Sequence, residues 1–484
     1  MSPTSSDLVD PALPAARRVA AHSQRLREQR ERRRFERTFW MLVATLSLVA
    51  AVFLLLGSLQ GPKLSSAIVD PARVTEQAGQ QLRLFANQPL GEVTPDQVTV
   101  TPSAEVSVTV QGDLMIVQFE QRLRFGTEYL VEVSDVSAPS RDATSTFTHR
   151  FTTAQGGVLY LDRGDDVDEV LRAPIDGEGR GEVVVAAPGI QHIAPIENVV
   201  VVARDADDGT SVLESVAADG GVQRLTLPDG VRVDRLIVPP SGTVLGMVLT
   251  TVDVESSELP LDSALAIVDL AGQGIASIVP GLDGEPITTL NAAFLPDAVT
   301  LIVHAFDQSL LRVELTETPL ALPVGQIPEM YALSTDGTRI TGSDAFGGVV
   351  VDLATGDESR LDPSLVDGEL AFGGQAILTS TELRVQKVAI ADVVTGAVRV
   401  VLVADDGSGV ARVLLRTIDD RGSIGDFTIS PNDQFVAVEV TPSVEDAVPD
   451  GRPVNGRATS VTTVIIDIES GAVVRTLEGF SPIW

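Results

Sequence analysis

The sequence predicts an all-β protein that is preceded by one transmembrane α-helix. Three observations support this prediction. Positions 39–59 form a run of 21 residues without a charge. Between 68 and 153, short apolar segments alternate with polar residues at a period of two, which is typical of half-buried strands. From 156 onward, a pattern of short strands recurs loosely, about every 40 residues, which indicates a repeat architecture.

The run at 39–59 is long enough to cross a bilayer, since a helix rises ~1.5 Å per residue and the hydrocarbon core is ~30 Å thick. A buried core helix is the alternative, but such helices seldom extend so far without a charge. Seven arginines lie between 25 and 37, and only Lys63 follows closely. The positive-inside rule therefore places the N-terminus in the cytoplasm and the bulk of the chain outside. A cleaved signal peptide is the rival interpretation, and the length of the preceding segment favours an uncleaved signal anchor in the plasma membrane.

Charge is distributed unevenly along the chain. The predicted cytoplasmic tail, 1–38, has a net charge of +4, whereas the whole chain has −32. The acidic remainder would be repelled by phosphate backbones, so nucleic acid is not expected as its partner. The tail serves as an orientation signal near lipid head groups or, alternatively, binds RNA or a cytoplasmic partner. The sequence contains no cysteine, which excludes disulfides and thiolate chemistry.

After a linker at 60–67, residues 68–153 contain six short alternating segments separated by turn residues. This pattern indicates an antiparallel β-sandwich. Three motifs resemble those of the bacterial Ig-like domains of surface-layer and other exported proteins: Phe85 to Leu90, Val100 to Pro102, and Leu123 to Val133. Phe125 stands where proline is common in that family. The resemblance implies an Ig-like β-sandwich that acts as a spacer or adhesion module, and it implies no chemistry.

Two landmarks recur from 156 to 484. The first is a pair of apolar strands joined by a small turn, found at 235–249, 292–306, 331–343 and 427–440. The second is a strand that ends in aspartate and is followed by a glycine turn. Its aspartates are Asp269, Asp352, Asp392 and Asp467, with Glu314 in the intervening slot. Four short strands in each unit predict the blades of a β-propeller.

The run Ser430 to Val438, S-P-N-D-Q-F-V-A-V, resembles the repeated signature of TolB-like and other WD40-like propellers. This resemblance implies a β-propeller over 156–484. Seven blades are predicted, and six or eight stay open. Their inner strands are placed near 191–196, 233–238, 290–295, 329–333, 369–373, 425–430 and 479–484. Because the first unit lacks a strand, 479–484 is expected to complete it beside Val158 to Leu161 and to close the ring, which removes an open sheet edge.

No catalytic, cofactor-binding or metal-binding residue is predicted, and no cofactor is expected. The four histidines are His22, His149, His192 and His304, and none lies in a hydrolase, metalloprotease or nucleotide-binding motif. His192 and His304 fall near predicted inner strands, where a structural role competes with a role as ligand or base. Their convergence in a polar funnel would favour an enzyme.

Acidic residues cluster at 162–169 and at 205–208, where calcium binding is an alternative to a structural role. In the second cluster Gly209 comes one position too early for an EF-hand, and Val216 stands where that loop needs glutamate. Asp-Gly is instead a strong hairpin signal, which also applies to Asp406-Gly407. The aspartates that recur once in each unit are expected to cap turns.

Two insertions, 251–262 and 442–460, interrupt the repeat between the second and third strands of their blades. Long loops of this kind are often functional, and these lie on the face that also contains the links between blades. The sequence therefore predicts a membrane-anchored binding or scaffold protein of the bacterial cell envelope. Its propeller would contact an envelope protein or a cell-wall glycan. An envelope hydrolase or lyase with a site at the channel mouth is one alternative, and a transmembrane sensor is another.

Overall fold

The computed structural model describes residues 37–52, 61–139, 142–255, 260–316, 319–391, 396–452 and 454–484. The first of these ranges is a helix, α1. Within the described ranges, no helix is both long enough and apolar enough to cross a membrane. The remainder of the predicted span, 53–59, lies outside the described residues, as do positions 1–36 of the predicted tail.

The chain divides into two compact units. The first comprises Met1–Val69, Leu82–Gln118 and Leu130–Arg150, and the second comprises Asp70–Gln81, Phe119–Tyr129 and Phe151–Trp484. Two segments from the predicted sandwich region, 70–81 and 119–129, therefore group with the propeller. Their backbones are joined, because the Leu123 N–H donates to the Val74 carbonyl at 2.7 Å.

Seven strands and two short helices lie between 64 and 152, and the first strand overlaps the predicted linker at 60–67. The strands are β1 (Leu64–Ile68), β2 (Gln81–Ala86), β3 (Val98–Thr101), β4 (Val106–Gln111), β5 (Leu114–Phe119), β6 (Glu128–Ser137) and β7 (Thr144–Thr152), and the helices are α2 (Arg73–Glu76) and a 3₁₀ turn (Pro95–Gln97). They form one sheet in the order β1-β2-β5-β4 and another in the order β3-β6-β7. Alternate residues are buried, as Met115 and Val117 are on β5, which matches the period of two seen in the sequence.

Seven further sheets lie between 157 and 483, and each forms one blade. Blade one contains β8 (Gly157–Asp162), β9 (Asp168–Pro174), β10 (Glu182–Ala187) and β36 (Phe480–Ile483). Blade two contains β11 (Ile190–Ile196), β12 (Val199–Asp205), β13 (Ser211–Ala217) and β14 (Val222–Leu225). Blade three contains β15 (Val231–Ile237), β16 (Val244–Thr251), β17 (Ala264–Asp269) and β18 (Ser277–Ile278). Blade four contains β19 (Thr289–Phe294), β20 (Thr300–Ala305), β21 (Ser309–Glu314) and β22 (Leu320–Gln326).

The last three blades complete the set. Blade five contains β23 (Glu329–Leu333), β24 (Arg339–Asp344), β25 (Gly347–Asp352) and β26 (Glu358–Arg360). Blade six contains β27 (Leu365–Val366), β28 (Ala371–Leu378), β29 (Arg384–Ala391), β30 (Val398–Asp405) and β31 (Val410–Arg416). Blade seven contains β32 (Ser423–Ile429), β33 (Phe435–Thr441), β34 (Thr462–Asp467) and β35 (Val473–Glu478), after a 3₁₀ turn at Ile418–Asp420.

The first strands of the blades form a ring. Contacts connect β36, β11, β15, β19, β23 and β28 in succession, and β32 contacts β36. These strands overlap the seven inner strands predicted from the sequence. The strand β36 pairs antiparallel with β8, with Phe480 opposite Leu161 and Ile483 opposite Leu159. The predicted all-β propeller architecture is therefore confirmed by the order of the strands themselves.

The hydrophobic core lies between neighbouring blades. One cluster joins Ala203 and Leu213 of blade two to Val233, Met247 and Leu249 of blade three. Since complete burial of such a side chain contributes about 1.5–3 kcal/mol, each blade depends on its neighbours for stability. The repeat seen in the sequence is thus a repeat of inter-blade contacts.

The landmark position predicted at Asp392 is wrong for blade six. Residue 392 follows β29, which lies between β28 and β30 and is therefore a second strand rather than a third. The third strand, β30, ends at Asp405. The extra strand β27, which pairs with β31 at the outer edge, lengthens the link into this blade and shifts the apparent repeat. Asp392 itself lies outside the described residues.

Candidate binding surface

Because the strands within a blade are antiparallel, successive connections lie alternately at the two ends of the propeller. The connections between first and second strands define one end, which we call the turn face: 197–198, 238–243, 295–299, 334–338, 379–383 and 430–434. The connections between second and third strands, together with the links into the next blade, define the other end, which we call the insertion face. They include 163–167, 188–189, 206–210, 226–230, 252–263, 279–288, 306–308, 327–328, 345–346, 367–370, 417–422 and 442–461. Both predicted insertions belong to the insertion face, since they connect second to third strands.

Two connections of the turn face, 334–338 and 430–434, share one arrangement of hydrogen bonds. The Ser430 hydroxyl donates to Asn432 at 2.8 Å and accepts from the Phe435 N–H at 2.9 Å. Ser334 makes the equivalent bonds, donating to Asp336 at 2.6 Å and accepting from the Arg339 N–H at 3.0 Å. The S-P-N-D signature is therefore a turn motif that fixes the strands on either side.

Segments 70–81 and 119–129 are held against the turn face. The Arg122 guanidinium donates to the carbonyls of Thr335 at 3.2 Å and Pro431 at 2.9 Å, and its Nε donates to the Glu76 carbonyl at 2.9 Å. These carbonyls belong to blade five, blade seven and helix α2. Burial lowers the pKa of Arg122, with the charges of Asp433 and Asp336 opposing this. One partly buried cation thus connects two blades to the covering segments.

Further bonds extend this attachment along blade seven. The Asn432 amide donates to the Leu123 carbonyl at 3.0 Å, and the Phe125 N–H donates to the Gln434 side chain at 2.9 Å. Arg124 forms ion pairs with Asp467 and Glu469. Because backbone groups make most of these bonds, the attachment is specific in register as well as in charge.

The turn face opens into the central channel. A cavity of about 1150 Å³ extends through it and is lined by the covering segments and by inner-strand residues, including Phe294 and Tyr331. Near its edge, Phe435 stacks between Phe125 and Trp484, with ring centroids 6.5 and 6.3 Å apart. On this side, therefore, aromatic side chains and the covering segments occupy the approach to the channel.

On the insertion face, the second half of the insertion at 442–461 folds back over blade one. The Arg163 guanidinium is nearly buried, pairs with Asp450, and donates to the Asn455 carbonyl at 2.9 Å and to Gln191 at 2.8 Å. Asn455 in turn donates to the Gln191 carbonyl at 2.8 Å. Asp450 and Asn455 are thus fixed to the first two blades rather than free.

Two further ion pairs fix the same segment. Arg452 lies 3.1 Å from Asp168, a fully buried carboxylate. Arg457 lies 3.3 Å from Glu439, whose other oxygen accepts from the Ser481 N–H at 2.8 Å. Burial raises the pKa of Glu439, and the charge of Arg457 opposes that rise. The insertion therefore connects blade one to blade seven, and Glu439 of blade seven bonds the closing strand β36.

The Phe480 ring, which begins the closing strand, lies beneath two of these cations. The guanidinium carbons of Arg163 and Arg457 are 4.8 and 5.3 Å from its centroid. Cation–π contacts of this geometry add to the attraction of the ion pairs. We name residues 450–452 and 454–457, together with Arg163, the closing clasp.

Of the two histidines predicted to fall near inner strands, only His192 lies on one. His304 lies on β20 in blade four, is buried, and bonds the Ile327 carbonyl through Nε2 at 2.8 Å. His192 lies on β11 in blade two, and burial, followed by the charge of Arg235, lowers its pKa to about 4. His149 lies on β7 of the first sheets, and His22 lies outside the described residues. The polar funnel that would favour an enzyme is therefore not formed by this pair.

The acidic clusters have structural partners. Around 205–208, the Ala206 N–H donates to the Thr210 carbonyl, and Asp208 accepts from Thr210, which is a hairpin turn. In the other cluster, Arg180 lies 2.5 Å from Asp162 and 2.7 Å from Glu169. No group of three or more acidic or histidine side chains among the described residues is arranged to hold a metal ion.

The landmark aspartates that the structure describes accept hydrogen bonds from the turns that follow them. Asp269 accepts from the Ala271 N–H at 3.0 Å, Asp352 from Thr355 at 2.9 Å and Asp467 from Ser470 at 2.8 Å. These bonds agree with the predicted role in capping turns.

The insertion face exposes many large apolar side chains. The most exposed are Phe346 at 85%, Ile418 at 82% and Leu370 at 78%. They lie in three different connections, 345–346, 417–422 and 367–370. These exposures make the insertion face a candidate interaction surface.

Neither a protein-family model nor a curated protein sequence matches the chain. Among solved structures, it is similar to dihydro-heme d1 dehydrogenase NirN in complex with DHE, with a TM-score of 0.39 and 13% identity over 68% of this chain and 74% of that one. It is also similar to the β-propeller domain of Cps50 (Swd1) from Myceliophteria thermophila, with a TM-score of 0.37 and 13% identity over 61% of this chain and 89% of that one. For a protein described as TolB from Agrobacterium tumefaciens, the TM-score is 0.33 and the identity is 14% over 67% of this chain and 90% of that one. Likenesses this weak support no statement about binding, activity or partners.

Proposed function

We propose that this protein is a membrane-anchored, extracytoplasmic scaffold of the cell envelope that binds its partner through the insertion face of its propeller. One observation supports this proposal above the others. The turn face is occupied by segments 70–81 and 119–129 of the same chain, whereas the insertion face exposes large apolar side chains such as Phe346 and Ile418. A partner protein is the favoured ligand, and a cell-wall glycan is the alternative.

The proposed anchor is the predicted span at 39–59, with the N-terminus in the cytoplasm. Its support is the uncharged run itself and the arginines that precede it. In the described helix 37–52, the apolar side chains of Phe39, Trp40 and Leu46 are exposed. Exposed apolar side chains along a helix are what a lipid environment requires.

We further propose that the region 68–153 is an Ig-like spacer. The order β1-β2-β5-β4 with β3-β6-β7 is the ABED and CFG order of immunoglobulin constant-type domains. In addition, Tyr129 at the start of β6 accepts a hydrogen bond from the Arg124 N–H at 3.1 Å, five residues upstream. A tyrosine with this bond at the start of the sixth strand is characteristic of that fold.

The enzymatic alternative depended on His192 and His304 meeting in a polar funnel. His304 is instead buried on β20, the second strand of blade four, where it bonds the Ile327 carbonyl. No observation among the described residues favours it over binding.

The absence of native cysteine allows a direct test with single cysteines. Ala345→Cys and Ala354→Cys are exposed changes in the same blade, the first on the insertion face and the second at the opposite end of blade five. A membrane-impermeant thiol crosslinker would be applied to intact cells. We expect a discrete adduct from position 345, none from position 354, and no labelling of Ala20→Cys in the predicted cytoplasmic tail.

Each part of the proposal fails separately in this experiment. Equal adducts from positions 345 and 354 would contradict binding through the insertion face. Labelling at position 20 in intact cells, or no labelling of the propeller cysteines, would contradict the predicted orientation in the membrane.

A further inference from the structure

The exposed apolar side chains of the insertion face share one local feature. Each lies within two residues of a carboxylate. The pairs are Val167 with Asp166, Val254 with Glu255, Leu282 with Asp283, Phe306 with Asp307, Phe346 with Asp344, Leu370 with Glu369, Ile418 with Asp419, and Val444 with Glu445. Eight separate connections, from six of the seven blades and their links, therefore present the same combination of an apolar group and a negative charge.

The repetition is not explained by the fold. Strand connections need polar or glycine residues for their backbone geometry, and they do not need a large apolar side chain exposed to water. On the turn face, the connection 295–299 shows the combination once, because the exposed Val299 lies two residues from Asp297, whereas the connections 334–338 and 430–434 present serine, threonine, asparagine and aspartate. The apolar–acidic combination is thus concentrated at one end of the propeller.

Some carboxylates of the insertion face pair with arginine, whereas others bond to neutral groups or face water. Asp344 lies 2.7 Å from Arg360, and Asp367 lies 2.8 Å from Arg416. Asp307 accepts hydrogen bonds from the Ser309 N–H and hydroxyl, and Asp419 and Asp420 are exposed in a turn with positive φ. The face therefore keeps a net negative charge that extends across the loops between blades four and seven.

We propose that the insertion face binds a cationic amphipathic segment of a partner protein, in which lysine or arginine side chains alternate with apolar ones. This inference rests on the proposed binding role of the same face and specifies the chemistry of its partner. Apolar side chains would pack against Phe346, Leu370 and Ile418, while basic side chains approach the adjacent carboxylates. Charge complementarity of this kind speeds encounter and selects the partner, and the apolar contacts contribute most of the affinity.

The probe is a pair of labelled amphipathic helical peptides, one of lysine and leucine and the other of glutamate and leucine. The full chain is reconstituted in zwitterionic nanodiscs, with empty nanodiscs as the blank. We expect the lysine peptide to bind and the glutamate peptide not to bind. Failure of the lysine peptide to bind overturns the proposal.

Charge variants separate this surface from the general acidity of the chain. One triple variant removes three charges from the insertion face: Asp307→Asn, Asp419→Asn and Asp420→Asn. Asparagine tolerates the positive φ of the last two positions. A control triple variant removes three exposed charges from the opposite end: Asp219→Asn, Asp357→Asn and Asp406→Asn. We expect the first set to weaken peptide binding by about tenfold or more and the second to change it less than about twofold. Equal effects of the two sets would overturn the proposal.

A second set of variants tests the exposed apolar side chains of the insertion face. Phe346→Ser with Ile418→Ser alters two side chains that are already exposed, so folding should be preserved. We expect a loss of about tenfold in affinity, and no loss for Val410→Ser, an exposed valine at the opposite end. Unchanged binding in the double variant overturns the proposal, as does preferential binding of soluble peptidoglycan fragments or self-association of the chain through this face.

Failure of the cationic partner can be distinguished from failure of the proposed function. If Ala345→Cys captures a protein in cells but the crosslinked peptide lies on an acidic or uncharged surface, the binding role stands and the cationic partner is wrong.

Discussion

At the scale of single residues, buried titratable groups on the propeller differ in how well they are paired. His192 has its Nε2 buried with no hydrogen-bond partner among the described residues, and burial lowers its pKa from 6.5 to about 4. Glu439 and Asp168, by contrast, are buried beside arginines. An unpaired buried imidazole remains neutral because protonation would place a charge where water cannot solvate it.

This neutrality predicts a pH dependence of stability. Above pH 6.5 the imidazole is neutral in both the folded and unfolded states. As the pH falls from 6.5 toward 4, only the unfolded state gains the proton, so the free energy of unfolding decreases, by at most roughly 3 kcal/mol. Denaturant unfolding of the wild type and of His192→Gln across this range measures the effect. We expect a smaller decrease in the variant, and an identical pH profile would contradict the prediction.

The structural role of a residue could be predicted from the sequence where its hydrogen-bond partner lies only a few positions away in the chain. The turn-capping role of Asp352 follows from a bond to Thr355, three residues away. Arg122 and Arg163 gave no such signal, because their partners Pro431 and Asp450 lie 309 and 287 residues away. A single arginine in a polar stretch has no local pattern that distinguishes a buried connector from a solvated side chain.

At the scale of elements, the inner strands were predictable because each combines apolar residues with a fixed turn, such as Ser430 to Gln434. The link into blade six was not predictable, since β27 is two residues long and pairs parallel to a strand 45 positions later, as Leu365 does with Val410. The insertion at 442–461 shows the same limit. Its length indicated a loop with a function, but the ion pairs that make half of it a structural clasp connect distant segments.

The closing clasp predicts a large effect from a single substitution. Arg163→Met removes one partner of a nearly buried ion pair and one cation above Phe480, and it leaves the Asp450 carboxylate without its neutralising charge. We expect the free energy of unfolding to fall by about 3–5 kcal/mol, as is usual when a buried pair is broken from one side. Chemical denaturation of the full chain measures this change.

A matched exposed pair provides the control for the clasp. Arg312→Met removes one partner of the ion pair with Glu314, whose side chains are about half exposed, and should cost less than about 1 kcal/mol. Losses of similar size for the two variants would indicate that the clasp does not stabilise the ring closure.

At the scale of the whole molecule, the propeller is stabilised as a closed ring rather than as a row of blades. Strand β36 pairs with β8 and follows directly on blade seven, so that blade one is completed by residues far from it in sequence. A ring without a free edge has no terminal blade from which unfolding can start, in contrast to an open repeat array. The described strand order therefore implies cooperative unfolding of blades one and seven.

Phe480→Ala tests this coupling. Phe480 is 1% exposed and packs within the cluster shared by blades one and two, so its truncation should lower the free energy of unfolding by about 3–5 kcal/mol. Because the ring joins both ends, amide hydrogen exchange should accelerate in β8 and β9 of blade one and in β33 and β34 of blade seven together. Val473→Ala, on the exposed outer strand of blade seven, should change stability by less than about 0.5 kcal/mol and leave exchange in blade one unaltered. Faster exchange confined to 480–483 in the Phe480 variant would show that the closing strand frays alone, and that the blades do not depend on closure for their cooperativity.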